Sequence, residues 1–388
     1  MSRIYFSVFG SGLGHAARIC EISERLWKPG DEYRYSSFEE GLDYLRTQGK
    51  YPTKSPSIDL KWNSDGGFSS QDSFLGFPRA IITFFRQLGF ESEVLSRFKP
   101  KVVVSDSRLS PIFAAKAKSV PIITLLNQFK VLFPSRFRGK LLSNFYERIA
   151  GNVLGLFWSL SDEVLMSDLP PPYTIGEANI TGTNVSNILQ YVGFTSPQPN
   201  LSLERLEKVK RSLEFDNRPL VFIQISGPNA TKKNFLNISI NSIGELSKQF
   251  NVVLSLGYPK GSNLPKKVAN GAWVYDWCPV KDELFQMSST LVARAGHGTI
   301  GQCINLGKPA VLAPIYNHSE QIANADKYQR LGLGIEIRAE NLTNKVLIDS
   351  VEKSLNDPSY KKQSESLMMI SKRYGGVDSV VRVIKSYL

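Results

Sequence analysis

Residues 8–18 read VFGSGLGHAAR. An apolar run, RIYFSV (3–8), leads into this glycine turn, and a helical pattern leaves it. A strand, a tight glycine turn and a helix form the opening unit of a doubly wound α/β sheet, and the carboxyl edge of such a sheet is where ligands bind. Gly10 and Gly12 fit the dinucleotide pattern G-x-G-x-x-G, but His15 holds the third glycine position and Gly14 comes one place early. An acidic residue does follow about 20 positions on, Asp31 or Glu32, but PGDEYRY around it reads as a turn. The Walker pattern fails too, because no Lys-Ser/Thr follows. The turn therefore asks for a task other than holding a dinucleotide, and His15 is its one chemically active side chain.

Outward from this unit, short runs apolar on both faces recur. In the first half they are IYFSVFG (4–10), VVVSD (102–106), PIITLLNQ (121–128), EVLMSD (163–168) and an ANITGTNV stretch (178–185). In the second half they are LVFIQISG (220–227), NVVLSLG (251–257), WVYDW (273–277), TLVARAG (290–296) and PAVLAPI (309–315). Runs without alternation mark parallel strands covered by helices on both sides. Two successive sets predict an α/β protein of two doubly wound, Rossmann-like domains. The boundary is expected near YVGFTSPQPNLS (191–202), followed by a charged helix, LERLEKVKRSLEF. The last segment, GGVDSVVRVIKSYL, opens on glycines and continues with helical periodicity.

The totals agree with two domains. The chain has 388 residues, of which 42% are apolar, with a formal charge of +12 and a pI near 9.4. Such a balance suits acidic partners: nucleic acid, anionic membrane or phosphorylated substrates. No nucleic-acid-binding motif is present. Cys20, Cys278 and Cys303 have no metal-ligand spacing and no even count, which predicts no metal site and a reducing compartment. No signal core and no run of roughly 20 apolar residues occurs, so a cytoplasmic location is expected.

Two sites emerge from the residues. His15 falls where the first strand gives way to its helix, a place for a general base. Asp106 ends the strand VVVSD at the same edge, where it can accept the imidazole N–H and stabilise the charged ring; its alternative task is to cap the helix SPIFAAKA. In the second half, ARAGHGTIGQ (293–302) passes from a strand through small residues into a helix expected to open at about Thr299. Backbone N–H groups at Gly298, Thr299 and Ile300, the helix dipole, the Thr299 hydroxyl, Arg294 and His297 make a diphosphate cradle. Glu320 and Gln321 together can hold several sugar hydroxyls. Trp277, after another strand, can stack on a base.

The order of these features resembles GT-B glycosyltransferases, the MurG-type GlcNAc transferases and the UDP-sugar-using glucosyl- and glucuronosyltransferases. The resemblance covers nearly the whole chain and is most specific over Trp277–Gly334. Trp277, then Arg294, Gly296, Thr299 and Gln302, then Glu320, Gln321, Asn324 and Ala325 match the donor box in order. Gly12, Gly14 and His15 match the N-terminal Gly-x-Gly-His turn, and Ser226 and Gly227 the turn after the first donor-domain strand. Two departures stand out: Gln302 replaces the family's ribose-binding glutamate, and Val280 replaces a glutamine that some relatives carry.

The resemblance implies an acceptor-binding domain over 1–194, a nucleotide-sugar-binding domain over 195–372, a cleft between them, and a terminal helix over 373–388 returning to the first. It implies inverting transfer from a nucleotide sugar, UDP first among them, with no cofactor beyond that substrate. His15 would be the base and Asp106 its partner. Gly12, Gly14, Ser226, Gly227, Trp277, Arg294, Gly296, His297, Gly298, Thr299, Gln302, Glu320 and Gln321 would hold the donor. The segment 129–158 is aromatic and basic together, with Lys130, Arg136, Arg138, Lys140 and Arg148 and Arg86 nearby in sequence. It suggests contact with the inner face of an anionic membrane and a lipid-linked acceptor; the alternative is core helices with solvated basic faces. The rival functions are a nucleotide-sugar epimerase of the same fold, which would act without an acceptor, and a non-catalytic nucleotide-sugar or lipid-binding protein.

Overall fold

The computed structural model describes residues 2–57, 77–130, 132, 141–180, 188–197, 201–227 and 229–388. Its described residues fall into two compact units, one running as far as Pro197 and joined by Lys372–Leu388, the other lying between Gln198 and Ser371. The expected pair of doubly wound sheets is present, one in each unit.

The first sheet has seven strands in the order β3-β2-β1-β4-β5-β6-β7. They are β1 (Arg3–Val8), β2 (Glu32–Ser37), β3 (Thr53–Lys54), β4 (Val102–Asp106), β5 (Ile122–Leu126), β6 (Glu163–Met166) and β7 (Gln190–Tyr191). All pairings are parallel. The central strands β4 and β5 are buried along their whole length, which is why VVVSD and IITLL carry no alternation. The register sets Val8 beside Asp106, and Phe9 N–H continues the ladder to the Asp106 carbonyl at 3.1 Å. The glycine turn and Asp106 are therefore neighbours at one carboxyl edge.

Two readings of the first half change. The PGDEYRY stretch yields only its first residues to a turn, and Glu32–Ser37 form β2. Tyr33 and Tyr35 pack their rings on Phe6 of β1, the second stacked at 5.2 Å, so neighbouring aromatics outweigh the local turn residues. In ANITGTNV the described residues Ala178–Ile180 belong to a short helix, Glu177–Ile180, and the rest lies outside the described residues.

A buried polar network ties the long helix Phe77–Phe98 to the sheet. Glu91 pairs with Arg108 at 3.0 Å and accepts the Tyr5 hydroxyl at 2.6 Å and the Ser7 hydroxyl at 3.0 Å. Burial, with Glu91 beside it, pushes the Tyr5 phenol well above its ordinary value. On the opposite face, the helix Val377–Lys385 lays Val377, Val380, Val381 and Ile384 against the core formed by β1, β4 and the helix Leu13–Leu26. This i, i+3, i+4, i+7 stripe is the period of one helix face. Gly376 enters that helix at φ 53° with its N–H on the Val192 carbonyl at 2.8 Å.

The second sheet has the order β10-β11-β9-β8-β12-β13-β14. Its strands are β8 (Leu220–Gln224), β9 (Asn251–Ser255), β10 (Lys266–Ala269), β11 (Ala272–Tyr275), β12 (Thr290–Ala293), β13 (Ala310–Leu312) and β14 (Gly334–Glu336). Only the edge strand β10 is antiparallel. Its core joins β8, β9, β12 and β13 to the helices Lys233–Leu246 and Asn344–Asn356.

Candidate active site

In the first unit the glycine turn ends at Gly12, with φ 82°, and the helix Leu13–Leu26 starts at once. His15 thus sits in the first helical turn. Gly12 and Gly14 are exposed, and a Cβ at either would meet nothing within 4 Å. Their small size leaves open space here instead of relieving a clash.

His15 Nδ1 lies 2.7 Å from Asp106 Oδ1. With the proton on Nδ1 the imidazole donates to the carboxylate, and Nε2 keeps its lone pair. Phe9 packs edge-on against the ring at 5.3 Å. Asp106 is fully buried and does not cap the helix Ser110–Ala117, whose N-cap is Leu109. Its second partner is Arg18, missed from the sequence. Arg18 Nε donates to Asp106 Oδ2 at 2.7 Å, and Nη2 donates to Oδ1. Arg18 Nη1 donates in turn to Asn127, just after β5. Burial pushes the Asp106 carboxyl up, but Arg18 and then His15 beside it outweigh burial and hold it at about 2. Arg18 stands three residues after His15 on one helix face, the sequence signal that could have found it.

In the second unit the helix after β12 runs His297–Asn305 with Gly296 at its N-cap, two residues earlier than expected. Thr299 is half-buried in its first turn and Gly298 is exposed. Ile300 N–H closes the helix on the Gly296 carbonyl at 3.1 Å, so the cradle's donors come from the residues before it. His297 is buried. Arg294 turns away from solvent: Nη1 donates to the Ala313 and Pro314 carbonyls at 2.9 and 3.2 Å, and Nη2 to the Thr231 carbonyl at 2.7 Å. Its guanidinium stacks over Phe235 at 4.6 Å and lines a pocket of about 240 Å³ with Thr231, Asn234 and Tyr316. Burial alone lowers its pKa to about 10. Lys232, buried in the next turn, is likewise shifted down by burial alone and donates to the Gly257 carbonyl at 2.5 Å. Two cations with no carboxylate partner among the described residues thus lie beneath the loops that follow β8 and β12.

Ser226 is half-buried and Gly227 is exposed at φ 100°. Trp277 is half-buried after β11, so its ring is not core. Gln302 is nearly buried and donates from Nε2 to Asp282 Oδ1 at 3.3 Å; no pattern in the sequence pointed to Asp282. Glu320 and Gln321 open the helix Ser319–Arg330. Gln321 Oε1 accepts the Ile315 N–H at 3.1 Å, and Asn324 donates to the Ala295 carbonyl at 3.3 Å. Glu320 stays half-exposed. The structure thus brings His15 and Asp106 together in one unit, and Gly296–Gln302 with Asn324 in the other.

Residues 230–379 match the glycosyltransferase family 28 C-terminal domain. An uncharacterized glycosyltransferase of Methanosarcina acetivorans is 23% identical across 99% of this chain and 98% of its own. The protein is a GT-B glycosyltransferase. The UDP-N-acetylglucosamine–N-acetylmuramyl-(pentapeptide) pyrophosphoryl-undecaprenol N-acetylglucosamine transferase of Streptococcus gordonii is 21% identical to this glycosyltransferase, over 92% of this chain and 91% of its own. The same fold is found in the SsfS6 glycosyltransferase of Streptomyces sp. SF2575 complexed with thymidine diphosphate, at a TM-score of 0.63 and 18% identity, covering 100% of both chains.

Proposed function

We propose that the glycosyltransferase moves a sugar, with inversion, from a nucleotide sugar to a hydroxyl or phosphate acceptor. The observation that carries this reading is the buried Asp106 carboxylate gripping His15 Nδ1 at the carboxyl edge of the first sheet. His15 Nε2 takes the acceptor proton as the acceptor oxygen bonds to the anomeric carbon. The bond from that carbon to the phosphate oxygen breaks, and its electron pair leaves with the nucleoside diphosphate. Asp106 holds the ring and offsets its new charge.

The leaving diphosphate meets the N-terminal turn Gly296–Thr299, where helix dipole and backbone donors favour an anion. Ser226 and Gly227 border it. Arg294 and Lys232 add positive potential from below while bracing the loops. Glu320 and Gln321 hold the sugar and Trp277 stacks on the base. Uridine is the base implied by resemblance to the UDP-sugar enzymes; the thymidine diphosphate in the SsfS6 complex makes a thymidine donor the second reading.

The acceptor we propose is lipid-linked, taken at the cytoplasmic face of a membrane. The helices Phe77–Phe98 and Leu141–Trp158 leave Ile82, Phe85, Phe145, Ile149 and Leu156 exposed, with Phe113 in edge-on contact with both Phe84 and Phe157. Arg86 and Arg148 are exposed beside them. Lys130 is buried and cannot face lipid; Arg136, Arg138 and Lys140 lie outside the described residues. No helix among the described residues is long and apolar enough to cross a membrane.

The test is nucleotide release from a panel of nucleotide sugars, with and without a lipid extract. Release that needs the extract, and that leaves a glycosylated lipid, supports transfer. Release or epimer formation without any acceptor overturns it in favour of an epimerase, and no turnover of any donor favours a binding protein.

A further inference from the structure

The His15–Asp106 pair is braced from the other face of its sheet. In the register of β1 and β4, Ser7 lies beside Ser105 and Val8 beside Asp106. Successive strand side chains point to opposite faces. Asp106 thus meets His15 and Arg18 of the helix Leu13–Leu26 on one face, while Ser7 meets Glu91 of the helix Phe77–Phe98 on the other. Arg108, two residues after Asp106, is buried on the side of Glu91. Its Nη1 donates to Ser7 Oγ at 2.8 Å and to Ser36 Oγ at 3.2 Å, and its Nη2 lies 3.0 Å from Glu91 Oε1.

Arg108 connects to both members of the pair. The first route is the backbone. Ser107, between Asp106 and Arg108, has φ 55°, a left-handed conformation that a residue with a Cβ keeps only where its surroundings enforce it. Ser105 Oγ closes this turn on the Arg108 carbonyl at 2.7 Å, and Ser107 N–H donates to the Leu125 carbonyl at 3.0 Å. The second route is aromatic. The guanidinium lies 5.8 Å from the Phe38 ring. Phe38 meets Phe9 edge-on at 5.4 Å, and Phe9 meets His15 in the same way at 5.3 Å. Phe38 has no slack: a Cβ on Gly10 would stand 2.1 Å from its carbonyl oxygen, and Glu39 after it sits at φ 47°.

We propose that Arg108, gripped by Glu91, is a positioning residue for the transfer: it sets the turn that aims Asp106 and, through Phe38 and Phe9, the His15 ring. This rests on the reading of His15 as the base. Stability is a weak reason for such a pair, because apolar side chains of similar volume often replace buried ions without loss. What the pair supplies is one fixed arrangement of β1, β2, the end of β4 and the helix Phe77–Phe98. Both residues are buried, so their effect falls on turnover and not on donor binding.

The test uses the full chain with isotope-labelled histidine. There are three histidines, His15, His297 and His318, and His15→Ala assigns the ring signal of the first. Arg108→Met with Glu91→Leu makes the pair apolar, Arg108→Lys keeps the charge without the planar fork, and thermal melts establish that each is folded. In both variants the His15 signal is expected to shift or split while those of His297 and His318 stay. Nucleotide release from the donor panel with lipid extract should fall about tenfold to a hundredfold in the double variant, and less in Arg108→Lys, with donor KM kept. Added to His15→Ala, the same substitutions should cost less than about twofold more, because no ring is left to aim. A wild-type His15 signal with wild-type release in a folded variant, equal shifts of all three histidines, or a loss repeated in full on His15→Ala each overturns the positioning role and leaves the base standing. Undiminished release by His15→Ala overturns the base and the positioning role together.

Discussion

Asp106 is shared. Its carboxylate serves the His15 imidazole on one side and a permanent cation, Arg18, on the other. Removing the base should act on chemistry alone: His15→Ala is expected to lower turnover by about two to four orders of magnitude with donor affinity kept. Undiminished turnover with both substrates saturating would remove His15 from the mechanism. Removing Arg18 strands a buried carboxylate, so Arg18→Met should cost roughly 3–5 kcal/mol of stability in urea titration, while Arg18→Lys should cost less. Asp106 also fixes a pH dependence. Its folded value of about 2 lies below the ordinary 3.8. The unfolded chain takes the proton first as pH falls, so about 2 kcal/mol of stability, complete above pH 4, is lost towards pH 2. The same loss should be missing from Asp106→Asn. His15 and Asp106 were legible because strand ends announce themselves in sequence. Arg18 was not, because an arginine on an amphipathic helix reads as a solvated face until the carboxylate it meets, 88 residues away, is known.

At the scale of elements, the buried strands could be read from composition alone, whereas the edges could not. The strands β3, β7, β10 and β14, each two to four residues long, owe their state to a neighbour's ladder and carry no pattern of their own. The helix carrying Glu320 and Gln321 depends on its cap. His318 Nδ1 accepts the Gln321 N–H at 3.3 Å. Burial pushes the His318 imidazole below its ordinary value, against the upward pull of Glu320. Protonation converts that acceptor into a donor and ends the cap. The unfolded chain takes this proton near pH 6.5, so the stability contributed here is present above that value and lost as pH falls through the lower folded one. His318→Asn keeps an acceptor at the cap and removes the titration. Its melting temperature should fall less than the wild type's between about pH 7.5 and pH 5.5. Equal falls in the two proteins would remove His318 as the cause.

At the scale of the whole molecule, the charge of +12 and the exposed apolar stripe make one joint prediction. Co-sedimentation with vesicles rich in anionic lipid should be strong at low salt and weaken as salt rises. Phe85→Glu with Leu156→Glu should reduce it several-fold and leave nucleotide binding alone. Binding unchanged by both substitutions would remove this face as the membrane contact.

The return of residues 377–385 to the first core has a consequence for synthesis. The second unit is an insertion, held at both ends within the chain of the first. A ribosome that has made the whole first sheet has not yet made the helix that seals one of its faces, and Val377, Val380, Val381 and Ile384 emerge only after the second unit is complete. The unit begun first is finished last. Until then that core, where the helix Leu13–Leu26 already packs on β1 and β4, lacks its last apolar cover, a surface for chaperones or for a neighbouring nascent chain. Arrested chains ending at 376 should therefore show a protease-resistant second unit and a digestible first one, and chains extended through 388 should protect both.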